Sequence, residues 1–175
     1  MDLDIGKKFI QEKKLNKALS FFLNELEKGN KTIRLYFFLG FTYFELNQIQ
    51  NSITYYKLAL KIDSQSIDII LKLANANYVI GNFLSAKSLY LKAIRLNKYS
   101  SSAYYGLYLI KPQYLTTKHI LNLNEIKKRN ISLNESYLVE YLLSKDAKQK
   151  NNYELELKHL EQYQNECFKS RNDHN

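Results

Sequence analysis

Residues 33–66 read IRLYFFLGFTYFELNQIQNSITYYKLALKIDSQS, and residues 67–100 read IDIILKLANANYVIGNFLSAKSLYLKAIRLNKYS. Laid over each other, the two stretches put small and aromatic residues in register. Gly40 falls on Ala74, Ser52 on Ala86, Tyr56 on Tyr90 and Ala59 on Ala93. One period upstream, Gly6 falls on Gly40, Phe9 on Tyr43, Ala18 on Ser52 and Phe22 on Tyr56. A fixed period of 34 residues is the length of a helix–turn–helix unit. Such a unit cannot bury its apolar face alone and must stack on its neighbours.

Within 33–66, Thr32 is placed to cap a helix running to about Leu46. Its apolar positions Leu35, Tyr36, Leu39, Tyr43 and Leu46 recur at three- and four-residue steps. Asn47 follows, a residue that tolerates the left-handed conformation that ends helices. Ile49, Ile53, Tyr56, Leu60 and Ile62 predict the second helix. In the next copy Gly81-Asn82 takes the turn, and Ala86, Leu89, Tyr90, Ala93 and Ile94 repeat the second-helix pattern. Residues 2–32 read as a degenerate first copy, with its turn at Lys13-Lys14 and Glu25 where later copies carry Ala59 and Ala93.

Beyond residue 100 the period fades. Ser101 and Ser102 are placed to cap a helix to about Ile110 containing Tyr104, Tyr105 and Leu107, and Pro112 stops it. Thr117 to Arg129 reads as helical. Ser132-x-x-Glu135 is a capping-box pattern ahead of Tyr137, Leu138, Tyr141 and Leu142. A last helix is expected from Tyr153 to about Lys169, packing through Tyr153, Leu157, Leu160, Tyr163 and Phe168. The expected organisation is a repeat array over 2–110, with copies at 2–32, 33–66 and 67–100 and a partial one at 101–111. Capping helices follow over 113–170, then a frayed tail at 171–175. The fold class is all-α, a solenoid of helix–turn–helix repeats with a helical C-terminal cap.

The small residues have a mechanical reading. Gly40 and Ala74 stand where the two helices of a pair approach closely, and Ala59 and Ala93 do so between copies. Tyr56 and Tyr90 fill the space left over. With Tyr43, Ser52 and Ala86, these form the expected repeat-packing set.

Composition narrows the function classes. One Pro and five Gly leave no Pro- or Gly-rich linker. The longest apolar stretch, Leu35 to Phe44, is too short to span a bilayer as a helix, and no secretory signal is visible at the N-terminus. Cys167 is the single cysteine, in keeping with a reducing compartment. A cytoplasmic protein is expected. The net charge of +9 raises nucleic acid as a partner. However, 22 of the 26 basic residues are Lys, whereas Arg is the preferred reader of phosphates and base edges. The Lys, Asn and Tyr excess follows AT-rich codons, so nucleic acid is expected to bind only weakly.

These residues resemble the tetratricopeptide repeat. Residues 33–66 match its pattern at Tyr36, Leu39, Gly40, Tyr43, Ser52, Tyr56 and Ala59, with Ser64 where Pro is usual. Residues 67–100 match at Leu73, Ala74, Ala86, Tyr90 and Ala93 and depart at Ile70, Asn77 and Lys98. The resemblance implies a protein–protein interaction scaffold with no cofactor, metal, small-molecule substrate or catalytic role. A narrower resemblance lies in 92–109. Ala103, Gly106, Leu107 and Tyr108 look like the end of the repeat array in the subunit 2 family of the endoplasmic reticulum membrane protein complex. That implies a cytosolic scaffold on the membrane face of a complex that inserts membrane helices.

His119, His159 and His174 sit at no metal-ligand spacing with Cys167 or with a carboxylate pair. His119 reads as solvated, Cys167 as a small buried residue, and Glu154, Glu156 and Glu161 with Lys158 as a solvated helix face. In a tetratricopeptide array the first helix of each pair lines the concave face. That makes Phe37, Phe41, Phe44, Leu71, Asn75, Tyr78, Tyr105 and Leu109 the candidate partner groove, suited to a helix or an extended peptide. Chaperone-tail binders of the family hold a carboxylate with Lys and Asn. Here Phe37, Phe41 and Asp68 break that clamp, although Lys72 is present. The expected function is a scaffold in a larger complex. The alternatives are a free-standing adaptor for peptide or helical segments of a soluble partner, and a weak nucleic-acid binder.

Overall fold

The computed structural model describes residues 3–129 and 132–172. Ten α-helices occupy the described residues: α1 Asp4–Gln11, α2 Leu15–Glu27, α3 Ile33–Glu45, α4 Ile49–Ile62, α5 Ile67–Val79, α6 Phe83–Leu96, α7 Ser101–Ile110, α8 Thr117–Lys127, α9 Leu133–Gln149 and α10 Tyr153–Asn172. A 3₁₀ turn, Pro112–Tyr114, separates α7 from α8. The chain forms two compact units, one through Lys92 and one from Ala93 onward, with the division inside α6.

In the first unit α1 packs on α2, α2 on α3, α3 on α4 and α4 on α5, while α3 also touches α5. The turns between paired helices are built alike. Lys13, Asn47 and Gly81 have positive φ (56°, 59° and 76°) and stand one period apart. Each turn closes the same way. Gln48 N–H reaches Tyr43 C=O at 2.8 Å and Asn47 N–H reaches Phe44 C=O at 2.9 Å, and Lys14 to Phe9 and Asn82 to Asn77 repeat the first of these bonds at 2.8 Å. This double closure satisfies carbonyls that a helix end leaves orphaned. Gly81 meets the left-handed requirement without a Cβ clash, whereas Lys13 and Asn47 must bear it. Thr32 caps α3 by accepting from Leu35 N–H.

The core of the first unit includes Leu35, Leu39, Ile53, Tyr56, Ala59 and Leu73, joined by Ala18 and Phe22 of α2. Tyr56 and Tyr90 are each 1% exposed despite their size. Burial pushes both phenols up from their ordinary value. Phe22 stacks on Phe38 at 5.3 Å, tying α2 to α3. Tyr43 is half-buried and stacks on Tyr55 at 5.4 Å instead of entering the core. Thr42, which the apolar pattern passes over, is fully buried because its hydroxyl donates to Phe38 C=O at 2.7 Å. Glu25 is buried and paired with Lys28 at 2.8 Å, which makes the charge tolerable in place of a small residue.

In the second unit α9 packs against α7, α8 and α10. Leu107, Leu123, Ile126, Val139 and Leu142 are buried there. Tyr104 donates to Lys98 C=O and accepts from Asn122, both at 2.8 Å. Glu140 is buried between His159 (2.6 Å) and Lys127 (2.8 Å), joining α9 to α10 and α8. A carboxylate out of water requires such partners.

Four expectations about this unit are corrected. Ser132 forms no side-chain cap to the backbone, because its hydroxyl donates to the Glu135 carboxylate at 3.0 Å. The packing face of α10 is rotated in part from the expected line: Leu160 and Tyr163 of that line are half-buried, but Tyr153, Leu157 and Phe168 are exposed, His159 is buried and Glu156 is half-buried. A search for apolar side chains misses the buried polar pair Glu140–His159. Glu156 also reaches Lys148 of α9 at 4.0 Å, so it is not part of a solvated face. Finally, His119 is not solvated. It is half-buried, lies 5.4 Å from the Tyr104 ring, and completes the capping box of α8 with Thr116. Cys167 is half-buried. The expected tail at 171–175 reaches outside the described residues, as does His174.

Candidate partner-binding face

The repeat-packing residues sit at interior positions. Gly40, Ser52, Tyr56, Ala59, Ala74, Ala86, Tyr90 and Ala93 are buried, and Tyr43 is half-buried. Gly40 lies close against the Tyr56 ring, which turns one side of α3 toward α4.

The candidate groove residues are buried unevenly. Phe37 and Phe44 are half-buried and pack against the core of the first unit, Phe37 at 6.3 Å from the Tyr56 ring and 5.7 Å from Phe38. They act partly as packing residues, which their helical spacing does not reveal. Phe41 is half-buried and stacked on Phe37 at 6.5 Å. The Lys72 ammonium of α5 stands 5.3 Å from the Phe41 ring centre. A cation over an aromatic face is an attractive contact that still leaves the ammonium able to meet an anion. Leu71 and Tyr78 are half-buried and Asn75 is exposed, all on α5. Asn75 accepts from the Tyr90 hydroxyl, which orients its amide, and Tyr78 lies 5.7 Å from Phe83.

Tyr105 and Leu109 belong to the second unit and are described there. Tyr105 packs edge-on against Tyr141 of α9 at 6.0 Å, within a run of rings that continues to Tyr163. Its neighbour is therefore the chain's own cap, not an open groove. Leu109 is exposed.

Lys72 and Phe41 are the pair that the spacing argument did not join. The available signal was that Lys72 falls on the position of Phe38 one period earlier, beside Leu71. Among the described residues no three His, Cys, Asp or Glu side chains gather to hold a metal ion, and no helix is long and apolar enough to cross a membrane. A cleft of about 270 Å³ in the second unit is lined by residues including Tyr108, Leu142, Lys145 and Lys148.

Comparison with known proteins agrees with the all-α repeat fold. Residues 33–66 match the tetratricopeptide repeat family. The crystal structure of MamA is 20% identical and superposes with a TM-score of 0.70, covering 98% of each chain. BtubC (BKLC) from P. vanneervenii is 14% identical with a TM-score of 0.72, over 95% of this chain and 78% of that one. YrrB, described as a TPR protein with an unusual peptide-binding site, is 14% identical with a TM-score of 0.64, over 94% of this chain and 84% of that one. No curated protein matches the chain. Residues 33–66 thus form a tetratricopeptide repeat, and the chain has the all-α fold of the tetratricopeptide solenoids.

Proposed function

We propose that this protein is a non-enzymatic scaffold for other proteins and that the α3–α5 face around Phe41 and Lys72 receives a peptide or helical segment of a partner. In this reading 2–32, 33–66 and 67–100 are the repeat copies, 101–111 is a partial copy and 113–170 supplies further helices. The observation that carries the reading is the Phe41–Lys72 contact, which sets a half-exposed ring beside a cation on neighbouring first helices. A side chain that combines apolar surface with a carboxylate satisfies both. The peptide-binding description of YrrB, a protein of similar fold, lends support.

The narrower reading, a cytosolic subunit of the endoplasmic reticulum membrane protein complex, rests on Ala103, Gly106, Leu107 and Tyr108. The first, second and third of these are buried and Tyr108 is half-buried, so packing alone accounts for them. The general scaffold is the reading we put forward.

Affinity purification of the native chain beside Phe41→Ser tests it. The expected result is that the variant folds, by circular dichroism, and loses partners that the native chain retains. A folded variant that keeps every partner would remove this face from consideration.

A further inference from the structure

Val79, Ile80, Phe83 and Leu84 surround the α5–α6 turn and are 52%, 46%, 49% and 80% exposed. The period makes this unusual. Val79 stands where the two preceding copies have Gln11 and Glu45, and Leu84 stands where they have Asn16 and Gln50. All four polar counterparts are exposed. The third copy keeps the turn geometry, with Gly81 at φ 76°, but exchanges polar side chains for large aliphatic ones. Folding gains little from the exchange, since Val79 and Leu84 remain largely in water. A contiguous apolar patch of this kind marks an interaction surface.

The patch does not end at the turn. Beside it lies a cleft of about 310 Å³ whose lining includes Lys57, Asn82, Ser85 and Ser88 and no acidic residue. Leu84 and Ser88 are one helical turn apart on α6, so apolar patch and polar cleft run together along one side of that helix. The surface therefore offers aliphatic and aromatic contact on one flank. On the other it offers an ammonium with hydroxyl and amide groups.

We propose that this edge docks an amphipathic helix of a partner protein, its apolar stripe covering Val79, Ile80, Phe83 and Leu84 and its flanking carboxylates meeting Lys57. Charge complementarity selects the acidic flank, because the cleft presents a cation without a carboxylate in its lining. An amphipathic helix supplies anchors at the three- and four-residue steps that a short patch on two helix ends can receive. The proposal rests on residues other than Phe41 and Lys72, although Phe83 of the patch contacts Tyr78 of the α3–α5 face.

The test is fluorescence anisotropy of the full chain with a labelled model helix of about twenty residues, Leu along one stripe and Glu along its flank. A control peptide carries Lys in place of Glu. The acidic peptide is expected to bind and the basic one to bind at least about tenfold more weakly. Val79→Gln with Leu84→Asn restores residue types found in the earlier copies, so the fold should be kept, and binding should fall about tenfold or more. Lys57→Glu should weaken binding and flatten its salt dependence. Phe41→Ser should leave it unchanged, which separates this site from the α3–α5 face. Equal binding of both peptides, or an unaffected Val79→Gln/Leu84→Asn variant, would overturn the proposal. So would partitioning onto phosphatidylserine vesicles without peptide binding, or self-association abolished by the same double substitution.

Discussion

Gly40 lies against the ring of Tyr56 so closely that a Cβ on Gly40 would stand 2.6 Å from two ring carbons. The same sequence offset separates Gly6 from Phe22, where a Cβ would again meet the ring. One small position and one aromatic thus set the approach of each helix pair. A helix-interior Gly is otherwise costly, so the contact explains why it is tolerated there.

Gly40→Ala should therefore destabilise the protein by about 1–3 kcal/mol, although Ala is the better helix former. Tyr56→Leu in the same chain should recover part of that loss, because the two changes share one contact. Denaturant titration of the single and double variants checks this. Additive effects would mean that the two side chains do not oppose each other. Gln50→Ala, at an exposed position of α4, serves as the control within about 0.5 kcal/mol.

Lys13 carries the left-handed conformation that Gly81 supplies without strain. Lys13→Gly should raise stability by up to about 1 kcal/mol, the relief of strain outweighing the flexibility added to the unfolded chain. Asn47→Gly should gain less, since Asn tolerates that region. The melting temperatures should rank in that order, and a drop for Lys13→Gly would contradict the turn geometry.

Phe37 and Phe41 should separate stability from binding. Phe37 packs against the core and Tyr56, so Phe37→Ala should cost about 2–3 kcal/mol, less than a fully buried Phe. Phe41→Ser should cost about 1 kcal/mol and act chiefly on partner capture. Melts of both variants beside the affinity purification decide the matter. Equal destabilisation would place both rings in the core.

His119 ties stability to pH. Burial, helped by the Lys118 charge and opposed by the Tyr114 hydrogen bond, holds its imidazole below the ordinary 6.5. In the neutral form its Nδ1 accepts from Thr116 N–H at 3.3 Å, a bond that protonation removes. A base depressed in the folded state is neutral there while the unfolded chain still takes up the proton. Its contribution is thus present above pH 6.5 and lost as pH falls through the lower folded value. The native chain should lose melting temperature relative to His119→Gln as the pH drops from 6.5 toward that lower value, and the two curves should run parallel below it. Curves parallel throughout for the two proteins would refute the assignment.

The period of 34 residues, the Thr32 cap and the breaks at Asn47, Gly81 and Pro112 could be read without coordinates. Each depends on backbone stereochemistry within a few residues, or on volumes that must recur wherever a unit repeats. The tertiary structure alone decided how the helices beyond the periodic part pack. Ser132 and Glu135 have the spacing of a capping box, yet their side chains bond to each other. Tyr153, Leu157 and Phe168 of the apolar line of α10 stay in water, while Glu140 and His159 form a buried pair that no apolar pattern reveals. Phe37 and Phe41 occupy one side of α3, and only the positions of Tyr56 and Lys72 distinguish a packing ring from a candidate binding ring. Such contacts join residues far apart in sequence with partners that no local rule names. Local chemistry therefore determined the helices and their turns, while long-range packing and charge pairing determined which faces were left to bind.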